Sequence, residues 1–218
     1  MKTAVNLDVC RLALLLVASM VGEVAAQPAP LYRNDFEQAE TGKLPAELMI
    51  LDGAFTVKAD ATNKFVELPG NPLDTFSLLF GPPEKDRVAV TARIVGEAKG
   101  RRTPAFGVGL NGAGAYRLQV SPGKKALELY KGDEVVASKP FSWQSGRWLN
   151  FRLAVAKPKE SEWLVQGKAW PEAEREPEDW TVSFKETEEP RPGRAVVFGL
   201  PYAGTPLRFD DLTVTRFP

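Results

Sequence analysis

The chain has no histidine and only one cysteine, Cys10, in 218 residues. Without imidazole, Ser–His and Cys–His catalysis are excluded, and so is a zinc site built on imidazole or thiolate. Any chemistry falls to carboxylates, lysine, tyrosine or an oxygen-bound metal. One thiol makes no intrachain disulfide, so an apolar core has to hold the fold unaided. Excess charge is missing too, since 28 Lys and Arg stand against 28 Asp and Glu. A general nucleic-acid binder would be basic, and no nucleic-acid partner is expected. No fixed-period repeat is visible, which excludes a propeller or solenoid. No segment shows the periodicity of an amphipathic helix.

The first residues read as an export signal. Lys2 and Arg11 accompany a short apolar run, Leu12 to Gly22, too short to span a bilayer. Val24, Ala25 and Ala26 supply small residues for cleavage after Ala26. Residues 1–26 are therefore expected to be removed, with Cys10 among them, leaving a single domain over 27–218. The product is expected to be exported, periplasmic or extracellular, with no membrane insertion after cleavage.

What is abundant is period-two alternation, the signature of a strand with one dry and one wet face. In Gly146–Trp170, Leu149, Phe151, Leu153 and Val155 share one parity, and Asn150, Arg152 and Ala154 the other. Beyond a polar turn at Pro158–Ser161, Trp163, Val165 and Ala169 share a face opposite Gln166, Lys168 and Trp170. Two such runs about a turn predict an antiparallel hairpin. Similar runs are predicted at Leu31–Glu37, Ala54–Ala59, Lys64–Leu68, Phe76–Phe80, Arg87–Val95, Phe106–Leu110, Tyr116–Val120, Ala126–Tyr130, Glu134–Ala137, Trp180–Phe184, Ala195–Gly199 and Leu207–Val214. Gly107 and Gly109 lie on one face of their strand, where something approaches closely. About a dozen short strands with turn signals predict an all-β fold, a two-sheet antiparallel β-sandwich or a barrel.

The strings GKAWPEAEREPEDWTVSF, GRWLNFRLAV, LRFDDLTV and the opening NDFEQAETGKLP resemble the concanavalin A-like lectin/glucanase superfamily, and more narrowly laminin G-like jelly rolls of exported bacterial proteins. The resemblance implies a jelly-roll sandwich that binds sugar on one sheet or its rim. It also suggests a structural calcium between Glu37 of DFE and Asp210 or Asp211 of FDD, with Glu37 and Asp211 taken as the pair. No other cofactor is required. The E-x-D-x-x-E strand motif of laminarinase-type glucanases is absent.

Strand parity groups Arg117, Gln119, Asn150, Arg152, Gln166, Lys168 and Trp170 as outward residues. If their strands lie in one sheet, they form a platform for a polysaccharide or glycoconjugate. Amides and guanidinium would bond the hydroxyls, and Trp170 would stack on the apolar side of a pyranose. The same residues also fit an ordinary solvated face. The acidic stretch Glu172, Glu174, Glu176, Glu178 and Asp179 reads as a surface loop, since Pro171 and Pro177 interrupt regular pairing. The expected function is an exported carbohydrate-binding or adhesive module with no catalytic residue assigned. The alternatives are a glycan-processing hydrolase or lyase on the same scaffold, and an envelope or interaction protein without a small ligand.

Overall fold

Fifteen strands appear in the computed structural model, which describes residues 29–70 and 74–218. The expected export signal, 1–26, lies outside the described residues. In chain order the strands are β1 Tyr32–Asn34, β2 Met49–Asp52, β3 Thr56–Ala59, β4 Lys64–Leu68, β5 Phe76–Glu84, β6 Val88–Gly96, β7 Ala105–Leu110 and β8 Tyr116–Ser121. They continue with β9 Ala126–Lys131, β10 Glu134–Pro140, β11 Leu149–Lys159, β12 Glu162–Pro171, β13 Val182–Glu186, β14 Gly193–Leu200 and β15 Leu207–Arg216. Among the described residues the one helical element is a 3-10 turn, Pro122–Lys124.

The strands form two antiparallel sheets. The first runs β13-β12-β11-β6-β15-β4-β3, with β1 paired to β15; the second runs β10-β9-β8-β7-β14-β5-β2. Their inner faces make the core. Leu149, Phe151, Leu153 and Val155 are all buried, as are Val88, Val90, Ala92 and Ile94 across the β11/β6 register. Alternation therefore identified the dry faces correctly, and the fold is the all-β sandwich it predicted. Phe151 of the first sheet meets Phe106 of the second edge to face, with centroids 5.9 Å apart. Gly167, on the inner face of β12, leaves a hollow that Leu118 of β8 fills. A Cβ at 167 would lie 2.5 Å from Leu118 Cδ1.

The strand predicted at Trp180–Phe184 runs instead from Val182 to Glu186, and the one predicted at Glu134–Ala137 extends to Pro140. Other differences have local causes. The first strand ends at Asn34 because the Asn34 side chain accepts the Phe36 N–H and Phe36 turns to φ +59°. β2 was not predicted. All four of its residues are exposed, and it is held only by edge pairing to β5, so it carries no buried alternation. β5 continues past Phe80 through Gly81, Pro82 and Pro83, with a register break against β14 taking up the irregularity.

Candidate functional site

The seven residues predicted as one platform lie on two opposite outer faces. In the first sheet Asn150 pairs with Trp170, Arg152 with Lys168, and Ala154 with Gln166. These five polar and aromatic residues are brought together. Arg117 and Gln119 sit on β8, whose neighbours are β7 and β9 in the second sheet. Parity states which side of its own strand a residue takes; sheet membership depends on distant pairings such as β11 with β6.

The first-sheet face is closed over by the acidic loop. Glu176 is 2.9 Å from both Arg152 Nη1 and Lys168 Nζ, and Lys168 also donates to the Pro177 carbonyl. Lys168 Nζ stands 4.8 Å from the Trp180 ring. Trp170 faces outward as its parity demands, yet only 8% of it is exposed. Little of its ring is open to a sugar, and what is open lines the cavity beside Arg93. Burial opposes ionisation of Glu176, but Lys168 and Arg152 outweigh it and hold the carboxyl below the usual range.

Beside this loop, Arg93 of β6 gathers three carboxylates. Its Nη2 donates to Asp210 Oδ2 at 2.7 Å, its Nη1 meets Glu172, and its Nε forms a 2.6 Å ion pair with Asp211, bent away from hydrogen-bond geometry. Asp210 is 1% exposed, and burial lifts its pKa above the ordinary value despite Asn63 and Arg93. Both residues of the expected calcium pair have partners within the fold. Glu37 accepts the Lys64 N–H, Asp211 is engaged by Arg93, and among the described residues no three metal-type ligands cluster. A cavity of about 470 Å³ opens here, lined by Arg93, Glu176 and Asp211, which are paired within the fold, and also by Arg33, Asn150 and Trp170.

The outer face of the second sheet is differently built. The β8/β9 register sets Arg117 opposite Tyr130 and Gln119 opposite Glu128. Gln119 Nε2 donates to Ser121 Oγ (2.8 Å), and Ser121 Oγ donates to Glu128 Oε2 (2.6 Å). Tyr130 OH also donates to Glu128 Oε2 (2.9 Å), and Lys124 Nζ bonds Glu128 Oε1 (2.9 Å). Burial works against a charged Glu128, yet Ser121, Lys124 and Tyr130 together keep its pKa low.

Next to this network, Ala105, Gly107 and Gly109 of β7 form a floor with almost no side chains. The approach expected at these glycines is that of a neighbouring backbone, since a Cβ on Gly107 would lie 1.9 Å from the Leu118 carbonyl oxygen. Across this floor Arg117 reaches from the Tyr130 ring, 4.4 Å from its guanidinium carbon, toward Phe198 of β14 at 5.4 Å. Arg117 lines two cavities, of about 360 Å³ and about 40 Å³, and neither is lined by any Asp or Glu. Tyr202, 49% exposed, stands at the rim of the larger one.

Sequence reasoning missed Ser121, Lys124, Glu128, Tyr130 and Tyr202. The first four were within reach. Counting back from the short β8–β9 turn pairs Ser121 with Ala126, and hence Arg117 with Tyr130.

No protein-family model matches the chain, and no curated protein sequence matches it. Solved structures do share its architecture. The chain is similar to a Bacillus subtilis protein of unknown function with a galectin-like fold (TM-score 0.59, 12% identity, 87% of this chain and 97% of that one). It is similar to the carbohydrate binding module CBM66 from Bacillus subtilis (TM-score 0.53, 8% identity, 78% and 95%). It is also similar to the catalytic domain of the glycoside hydrolase family 131 protein from Coprinopsis cinerea (TM-score 0.53, 9% identity, 87% and 95%). At such identities the likeness is one of fold, a two-sheet antiparallel jelly-roll sandwich.

Proposed function

We propose that the chain is an exported carbohydrate-binding or adhesive module, a laminin G-like member of the concanavalin A-like group, that takes its glycan on the outer face of the second sheet. The observation that carries this reading is the lining of the Arg117 cavity. It combines the Gln119 amide, the Ser121 and Tyr130 hydroxyls, two cations and the exposed ring of Tyr202, without a carboxylate. Sugar hydroxyls need donors and acceptors held in place, and the apolar side of a pyranose packs on an aromatic ring. Tyr202 takes the stacking role expected of Trp170. Two of the fold's neighbours are described as a carbohydrate binding module and a glycoside hydrolase, which supports a saccharide ligand.

Binding is favoured over hydrolysis on this face. Glycosidic hydrolysis by the usual route uses two carboxyl groups, one of them a proton donor. Neither cavity lining contains one, and adjacent Glu128 is held ionised by its three partners. On the opposite face Arg152, Lys168 and Trp170 anchor the loop instead of a ligand.

A glycan-array screen of the purified protein tests the reading, with follow-up titrations on Gln119→Ala, Tyr202→Ala and Asn150→Ala. Binding should weaken about tenfold in each of the first two, the scale of one lost hydrogen bond or stacked ring, and hold in Asn150→Ala. Loss in Asn150→Ala alone would move the glycan to the first sheet and refute the assignment.

A further inference from the structure

We infer that the ligand of this face is acidic, with Arg117 receiving the carboxylate of a uronic-acid residue. The inference rests on the second-sheet face being the glycan site, and it names the sugar class.

Five arginines among the described residues are partly buried: Arg93, Arg117, Arg152, Arg194 and Arg208. Arg93, Arg152 and Arg208 pair with carboxylates, and Arg194 donates to the Gly81 and Glu47 carbonyls. Arg117 alone makes no ion pair or hydrogen bond to another described residue, and its Nε is buried without an acceptor. Taking a guanidinium partly out of water without a counter-charge is costly. A ligand that supplies the counter-charge recovers that cost on binding. The flanking rings of Tyr130 and Phe198 satisfy its apolar surface and leave its N–H edge unmet.

The rim agrees in sign. The loop Lys99–Thr103 and the turn Pro122–Lys125 converge at one end of the larger cavity, where a Cβ on Gly123 would lie 3.6 Å from Thr103 Oγ1. Lys99, Arg101, Arg102 and Lys125 in these segments have no salt-bridge partner among the described residues. Lys124 is partnered by Glu128. A chain of zero net charge thus carries four cations without ion pairs in the two segments that reach this cavity, and its described lining residues include no Asp or Glu.

Shape selects carboxylate over sulfate. The planar guanidinium fork matches a planar carboxylate in two parallel bonds. A carboxylate lies in the plane of that fork and fits between the two rings. A tetrahedral sulfate on the same fork would direct its remaining oxygens out of that plane, on the sides where Tyr130 and Phe198 lie 4.4 and 5.4 Å from the guanidinium carbon.

Calorimetric titration tests this with tetramers of galacturonate, glucuronate, mannuronate and guluronate, each beside its carboxyl-reduced neutral form, and with a sulfated galactan tetramer. At least one uronate should bind about tenfold or more tighter than its reduced form, the scale of a charge-assisted pair. Its affinity should fall with salt, and less steeply in Arg101→Gln/Arg102→Gln, whose exposed loop leaves the fold intact. Arg117→Lys, which keeps the charge and loses the fork, should lose most of the acid preference while melting as the parent does; if it melts early, the rim variant decides. Equal binding of acid and reduced forms, or preference for the sulfated tetramer, would overturn the uronate assignment and leave the glycan site standing. Binding of no saccharide in this set or on the array would overturn both.

Discussion

Gly167→Ala is the sharpest test of the packing that holds the proposed site in place. The new Cβ would stand 2.5 Å from Leu118 Cδ1, 2.9 Å from Cδ2 and 3.2 Å from Cγ, where carbons at rest sit about 3.5–4.0 Å apart. Leu118 is fully buried, so its isobutyl group has no open space to swing into. Overpacking of this kind costs about 1–3 kcal/mol, which for a domain of this size lowers Tm by roughly 2–4 °C per kcal/mol. Leu118→Ala alone should cost about 2–5 kcal/mol by emptying the same hollow. In the double variant the added methyl partly refills the space, so the two losses should sum to more than the double loss by about 1 kcal/mol or more. Urea denaturation measures all three variants, with unchanged m values showing that stability alone has moved. A neutral Gly167→Ala, or strictly additive losses, would mean that Leu118 does not seat against β12 as described. Because Leu118 lies between Arg117 and Gln119 on β8, Gly167→Ala should also weaken glycan binding without touching the groove.

Acid should destabilise the fold, and the signs can be assigned group by group. Glu128, Glu176 and Glu186 have folded pKa values below the ordinary 4.5, each because its partners outweigh burial; for Glu186 these are the Glu188 N–H, Lys131 and Tyr116. Their contribution is complete above that value and is lost as pH falls through the lowered folded values. Asp210 runs the other way, since burial raises its pKa and protonation relieves it. With three groups against one, melting temperature should hold from pH 7 to about 5 and then drop; a flat profile down to pH 3 would refute the balance. Glu176→Gln should release the loop from Lys168 and Arg152 at about 1–2 kcal/mol, a modest figure because Glu176 is 38% exposed. Acrylamide should then quench tryptophan fluorescence more strongly, and unchanged quenching would show that the loop is held by other contacts.

The layers of the sandwich were legible because burial obeys parity residue by residue. Leu149, Phe151, Leu153 and Val155 announce a dry face with no knowledge of their neighbours. The platform was not legible as a whole. Arg117 and Asn150 have the same outward parity, yet their strands reach different sheets through long-range pairings that local alternation does not encode. For Trp170 only the parity was legible. Its small exposure goes with a loop that returns to Lys168 through Glu176, an ion pair between residues eight positions apart across Pro171. β2 escaped notice because an edge strand exposed at every position leaves no alternating trace.

Arg93 has one more consequence. A bound ion occupies its site by mass action and departs when diluted or chelated, whereas a guanidinium tethered to the backbone of β6 stays at full occupancy. With Asp210, Asp211 and Glu172 converging on it, the clasp between β6, β15 and the acidic loop carries its own permanent counter-charge, which dilution cannot remove.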